Sequence, residues 1–161
     1  MYYLAGTTRP DIIFAAHQCA NYSIYPKQSH EKSVKRIGRY FKKTKDKGFI
    51  FTPGGSNCIE CYADAAFFVE WCREDADRFG SVLSRTGYII KFENCPIVWV
   101  SKMQTEIALL TTKDEYISLS QSMIYLIPLR NIMVEVSSVL GMKCDLCNSY
   151  TTTLEDNKGA I

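Results

Sequence analysis

The order of hydrophobic periods along the chain restricts its fold more than any other feature. Residues 58–101 hold three runs rich in β-branched and aromatic side chains: Cys58–Phe68, Thr86–Phe92 and Ile97–Ser101. The polar stretch Trp71–Ser84 and the turn Glu93-Asn94-Cys95-Pro96 link them. Consecutive strands joined in this way read as an antiparallel meander. From Thr112 the period lengthens. Tyr116, Leu119, Met123, Ile124 and Ile127 recur at helical spacing, and Leu129, Ile132, Met133, Val136 and Leu140 make a second stripe. Pro128 is expected to stop the first helix or start the second, because it lacks an N–H and clashes with the preceding turn. Gly141 is expected to close the second. Tyr150–Leu154 is then β-branched enough for a further strand, and a strand reached through a helix tends to run parallel. The reading is an α/β fold with a mixed sheet.

Two helices are expected before this block. Pro10 stands at a plausible first helical position for residues 10–20, and Tyr22–Pro26 ends that helix. A second runs from about Ser29 to Lys45, with Ser29 or His30 near its cap and an apolar stripe of Val34, Ile37 and Phe41 beside Tyr40. Gly48–Thr52 looks like a short strand before the turn Pro53–Asn57.

Charge is unevenly spread. Residues 27–47 carry nine basic side chains against two acidic ones, a net +7 that leaves the rest of the chain at −5. Lys35, Arg36, Arg39, Lys42 and Lys43 occupy much of the second helix outside its apolar stripe. Such a run is either a solvated face or a surface for phosphates, since clustered Lys and Arg bind nucleic acid through counterion release. Charge alone leaves both readings open.

A hydrophobic fraction of 47% with 22% charged residues is that of a globular chain rather than a disordered one. No apolar run approaches the ~20 residues that span a bilayer, and the N-terminus lacks the apolar core of a signal peptide. The expectation is no membrane association and a cytoplasmic location, with the nucleus left open. Seven cysteines without an export signal read as reduced thiols. Cys58 and Cys61 are three apart on a strand and should point to opposite faces. Cys144 and Cys147 fall in a loop and could close on a metal, but two further ligands are not evident.

Three acids stand at element boundaries: Asp64 near the exit of the first strand, Glu115 at the start of the long helical region and Asp156 after the last strand. Each has a local alternative. Asp64 could bond turn amides, Thr112-Lys113-Asp114-Glu115 spells a capping box, and Asp156-Asn157 could cap a following helix. The words around them occur in a fixed order: Tyr62-Ala63-Asp64-Ala65, Ser84-Arg85-Thr86-Gly87-Tyr88, Trp99-Val100-Ser101-Lys102-Met103-Gln104, Thr111-Thr112-Lys113-Asp114-Glu115-Tyr116 and Asp156-Asn157-Lys158-Gly159-Ala160-Ile161.

This succession resembles the ribonuclease H domain of copia-type retrotransposon Pol polyproteins. Tyr3–Ile12 and Lys35–Lys42 are similar to the end of the reverse transcriptase region of the same polyproteins. The resemblance implies a helical segment over 1–53 that ends the reverse transcriptase region without polymerase activity. It implies a ribonuclease H-like domain over 57–161, with a mixed five-stranded sheet. The family's fourth carboxylate and last helix would fall beyond Ile161, so the sheet is expected to be incomplete at its C-terminal end. The implied activity is hydrolysis of RNA in RNA–DNA hybrids, impaired by that truncation. Asp64, Glu115 and Asp156 would be the catalytic metal ligands, holding two Mg²⁺ ions. In this sequence the second Asp of the first word is Ala66. The implied partners are an RNA–DNA hybrid or other nucleic acid, and the remainder of a polyprotein. A non-catalytic nucleic-acid-binding module using the basic helix 29–45, and a functionless mobile-element remnant, are the alternatives.

Overall fold

The computed structural model describes residues 1–48, 58–67, 82–141 and 151–154. The short strand expected at 48–52 and the turn at 53–57 lie outside these residues, save for Gly48. So do Cys72, Cys144, Cys147, Asp156 and nearly all of the 71–84 stretch. The chain divides into two compact units: Met1–Ile50 with Val100–Lys102, and Phe51–Trp99 with Met103–Ile161.

The first unit is helical. Helix α1, Tyr2–Thr7, is too short for its sequence to announce it. Pro10 opens a single 3₁₀ turn, Pro10–Ile12, that leads into α2, Ile13–Asn21. Its fixed φ and missing N–H suit a position where no intrahelical donor is needed. Helix α3, Gln28–Lys43, follows. Its cap is Lys27 rather than Ser29 or His30, and His30 reaches back so that its Nδ1 accepts the Lys27 N–H at 3.0 Å. Ala5, Ile12, Ala16 and Ile37 form the buried cluster, with Phe41 packed against it. Val34 and Tyr40 are exposed, so the expected α3 stripe narrows to Ile37 and Phe41.

The second unit is built on a sheet. Strands β1 (Ile59–Ala66), β2 (Arg85–Phe92), β3 (Cys95–Met103) and β4 (Thr152–Leu154) lie in the order β3-β2-β1-β4. Strands β1 and β2 are antiparallel, with Cys61 opposite Ile90 and Asp64 opposite Gly87. Glu93 and Asn94 both take positive φ, 47° and 65°, which gives the two-residue turn a twist that matches its strands. Strand β4 pairs parallel to β1, with Cys61 opposite Thr153. The mixed sheet and its parallel last strand are as expected, with four strands among the described residues rather than five.

Helix α4, Thr111–Val139, is one element of 29 residues with Pro128 inside it. The expected break does not occur. The carbonyl of Ile124, which Pro128 deprives of a donor, lies on a stretch where Ile124 is 65% exposed and water can reach. The face of α4 that is buried also differs from expectation. Glu115, Ser118, Ser122 and Leu126 are buried, at spacings of three and four, while Tyr116, Ile124 and Ile127 are exposed. The buried hydroxyls are satisfied, Ser118 across to the sheet and Ser122 within its own helix. Ser118 Oγ donates to the Asp64 carbonyl at 2.8 Å, and Ser122 Oγ to Leu119 O at 2.7 Å.

Candidate functional site

The exit of β1 and the first turns of α4 meet around a buried polar cluster. Alternation on β1 buries Ile59, Cys61 and Ala63, and leaves Asp64 exposed on the side shared by Glu60 and Tyr62. Ser118 Oγ reaches the carbonyls of both Asp64 (2.8 Å) and its cross-strand partner Gly87 (3.5 Å). Glu115 lies one turn before Ser118 on the same face of α4 and is 6% exposed. The structure therefore brings the Glu115 turn to the backbone of Asp64. Glu115 is buried under α4, whereas the Asp64 side chain faces solvent from the other side of the strand.

The capping box spelled by Thr112 and Glu115 does not form. Helix α4 begins at Thr111 with Leu110 as its cap and no side-chain cap bond, so Thr112 is already inside the helix. Neighbouring Asp114 is the acid engaged locally. It is 1% exposed, and Ser84 Oγ donates to its Oδ2 at 2.6 Å. Burial pushes the Asp114 carboxyl above its usual range, opposed by the Ser84 hydroxyl and the charge of Lys113. Gln104, also 1% exposed, ties the ends of three elements together. Its Nε2 donates to Thr86 Oγ1 (3.2 Å) and to the Asp114 carbonyl (3.1 Å), and its N–H to Ser84 O (2.8 Å). This latch fixes where α4 starts relative to β2 and β3.

Asp156 lies outside the described residues, and no group of three or more His, Cys, Asp and Glu side chains placed to hold a metal occurs among those described. Among the described residues, Cys19, Cys58, Cys61 and Cys95 form no disulfide. Burial raises the Cys61 thiol above its ordinary value, with Ser122 bonded to it in opposition. The basic residues Lys35, Arg36, Arg39, Lys42 and Lys43 are all exposed on α3. No helix among the described residues is long and apolar enough to cross a membrane.

Comparison with known proteins places the chain. It is 32% identical over 120 residues to the secreted RxLR effector protein 161 of Plasmopara viticola, covering 74% of this chain and 79% of that one. At the same identity and length it matches the retrovirus-related Pol polyprotein from transposon RE2 of Arabidopsis thaliana. The corresponding polyprotein from transposon TNT 1-94 of Nicotiana tabacum is 33% identical over 135 residues, 83% of this chain. The chain belongs to the same family as that effector protein, and its similarity to segments of retrovirus-related transposon Pol polyproteins supports a retrotransposon-derived protein. It spans 8% and 9% of the lengths of those two plant polyproteins. No protein-family model matches it, and no solved structure matches it significantly.

Two features of this Pol-related chain escape a reading by motifs alone. The first is the Ser84–Asp114–Gln104–Thr86 latch, whose members lie on or beside the ends of three elements. The second is a clamp in the helical unit. Arg9 grips Asp11 with two bonds of 2.9 and 2.8 Å, and it also donates to Thr44 O (3.2 Å) and Thr44 Oγ1 (2.7 Å). Tyr40 adds its hydroxyl to Asp11 at 2.8 Å, and Arg9 stacks on the Tyr40 and Phe41 rings. The sequence signal was Arg9-Pro10-Asp11, in which proline holds the two charged residues in a turn.

Proposed function

We propose that this chain is a ribonuclease H-like segment of a copia-type Pol polyprotein, acting on the RNA strand of RNA–DNA hybrids. The observation that carries the reading is topological. An antiparallel meander bears Asp64 on its first strand, which lies between β2 and β4 in the sheet, and a crossover helix with Glu115 near its start leads to a strand parallel to β1. Ser118 joins the two elements at the carbonyl of Asp64.

Asp64 and Glu115, with Asp156, would hold divalent cations, which requires the Asp64 carboxylate, solvent-facing on the other side of the strand, to turn at the strand exit toward the buried Glu115. Their all-oxygen donor set suits magnesium rather than a thiolate-seeking metal. Bound there, paired magnesium ions would activate a water and stabilise the leaving oxygen of a phosphodiester. The chain's own contribution is positional. The Gln104 latch and the Ser118 bond fix the start of α4, and hence the place from which Glu115 extends. Asp64, exposed at the strand exit, is open to solvent and to a substrate phosphate.

A magnesium-dependent cleavage assay on an RNA–DNA hybrid tests this reading. Asp64→Asn is expected to lower the rate by at least about 100-fold, the scale on which loss of a metal-tuning group acts. Cleavage that survives Asp64→Asn unchanged sinks the assignment. A second reading, a non-catalytic nucleic-acid-binding module, is favoured by the exposed basic face of α3, in which Glu31 engages Lys35 alone of the five cations. It predicts binding that weakens steeply with salt and no cleavage.

A further inference from the structure

Helices α2 and α3 enclose an open cavity of about 600 Å³ that the nuclease reading leaves unused. That volume is within the ~300–1,000 Å³ of pockets that take small ligands. We propose that this cavity receives an unpaired base of a single-stranded nucleic acid, while the strand's phosphates follow the basic face of α3. The proposal rests on the nucleic-acid-binding reading and assigns it a site.

The two surfaces of α3 adjoin in a way that suits one strand. At about 100° per residue, Lys32, Lys35, Arg36, Arg39, Lys42 and Lys43 fall within an arc of about 120°. The residues of α3 that line the cavity, from His30 to Tyr40, fill the next arc of similar width. Arg36 belongs to both and marks the rim. A phosphate held by Arg36 would therefore carry its base toward the cavity.

The cavity wall offers what a base needs. Tyr22 and His30 are stacked with ring centroids 4.0 Å apart and planes inclined by 32°. Because His30 Nδ1 accepts the Lys27 N–H, the neutral ring carries its proton on Nε2 and is fixed in orientation. Aromatic surfaces beside a basic track are the usual means of holding single strands without regard to sequence. Gln18, also in the lining, supplies an amide that can pair with a base edge. Asp11, the one acid in the lining, stands at the far end, where Arg9 and Tyr40 already engage its charge. The wall is thus apolar and aromatic with a cationic rim, which complements a base attached to a phosphate.

The test uses the 161-residue chain and a short single strand containing 2-aminopurine, whose fluorescence falls when it stacks. Wild type is expected to quench the probe. Tyr22→Ala is expected to weaken binding about tenfold and abolish quenching, with the salt dependence unchanged. Ala15→Leu, which occupies the cavity while keeping the ring pair, gives the same result if the site is right. Arg36→Gln is expected to reduce the salt slope by about 0.7, the share of one phosphate on a single strand. A strand with an abasic site in place of the probe should bind wild type as weakly as the intact strand binds Tyr22→Ala. Equal affinity for intact and abasic strands, with salt dependence retained, overturns the base site and leaves the backbone reading standing. Absence of salt-dependent binding overturns both. Displacement of the probe's quenching by an amphipathic helical peptide, without displacement of the strand, would show that the cavity serves a protein helix instead.

Discussion

The two units of this chain differ in how much polar surface they bury beside their apolar residues, which in the second include Ile59, Cys61, Ala63, Tyr88, Ile90 and Leu126. In the helical unit the covered residues are Ala5, Ile12, Ala16 and Ile37, and the charged clamp of Arg9 and Asp11 sits at the periphery. Where α4 meets the sheet, the covered set includes Ser84, Thr86, Gln104, Asp114, Glu115, Ser118 and Ser122. An apolar cluster tolerates small adjustments, because its attraction has no direction. A buried polar network fixes one geometry, since every unmatched group costs about 1–3 kcal/mol. The difference teaches that precision in this molecule is concentrated where the start of α4 meets β2 and the backbone of Asp64. The basic helix is held by little more than a few aliphatic side chains and one clamp.

The comparison breaks first at Ile37. Ile37→Ala should cost about 3 kcal/mol, through lost burial and the cavity left behind. Hydrogen exchange resolved along the chain should report faster exchange in residues 1–48 and little change in α4. Uniform destabilisation of residues 1–48 and α4 would contradict the division of the chain into two compact units.

Ser118→Leu should cost about 2 kcal/mol by overfilling a fully buried position, now with the larger effect on α4 and β1. Ser118→Ala should cost about 1 kcal/mol, the worth of one hydrogen bond. If leucine proves milder than alanine in urea unfolding, α4 does not approach the sheet as closely as its buried serines require.

Two carboxylates sharpen the contrast through pH. Asp114 is raised above its usual range by burial, so the folded state binds its proton more tightly than the unfolded state does. Its contribution is fully present below the ordinary carboxylate range and is lost as pH rises through the elevated value. Asp11 is lowered by its bonds to Arg9, so its contribution is present at neutral pH and is lost as pH falls through the depressed value. Asp114→Asn should therefore raise neutral-pH stability and flatten its decline above the carboxylate range. A pH–stability profile unchanged by this substitution would place the carboxyl in water.

The smallest effect is expected at the clamp. Arg9→Lys keeps the charge but loses the two-pronged grip on Asp11, and should lower the melting temperature by a few degrees. A variant that melts as wild type does would reduce the clamp to a surface ion pair.

Much of this molecule follows from its sequence. The succession of three strands, a helical region and a strand, the parallel return of the last strand, a turn beginning at Glu93 and the basic face of α3 were legible. The turn, however, ends at Asn94 rather than Pro96, and the helical region is one helix. Alternation, β-branching, turn residues and charge runs act within a few neighbours. The side of α4 that is buried was decided elsewhere. Its aliphatic residues recur at helical spacing all round, and only the carbonyls of Asp64 and Gly87 select Ser118 for the interior. The same holds for Pro128, tolerated because its stretch is exposed, and for Thr112, which spells a cap but lies within the helix. Asp114 and Gln104 gain their roles from residues 10 to 30 positions away. Periodicity reports what a segment can bury. Which polar groups find partners across the fold is a property of the assembled backbone, and no short window contains it.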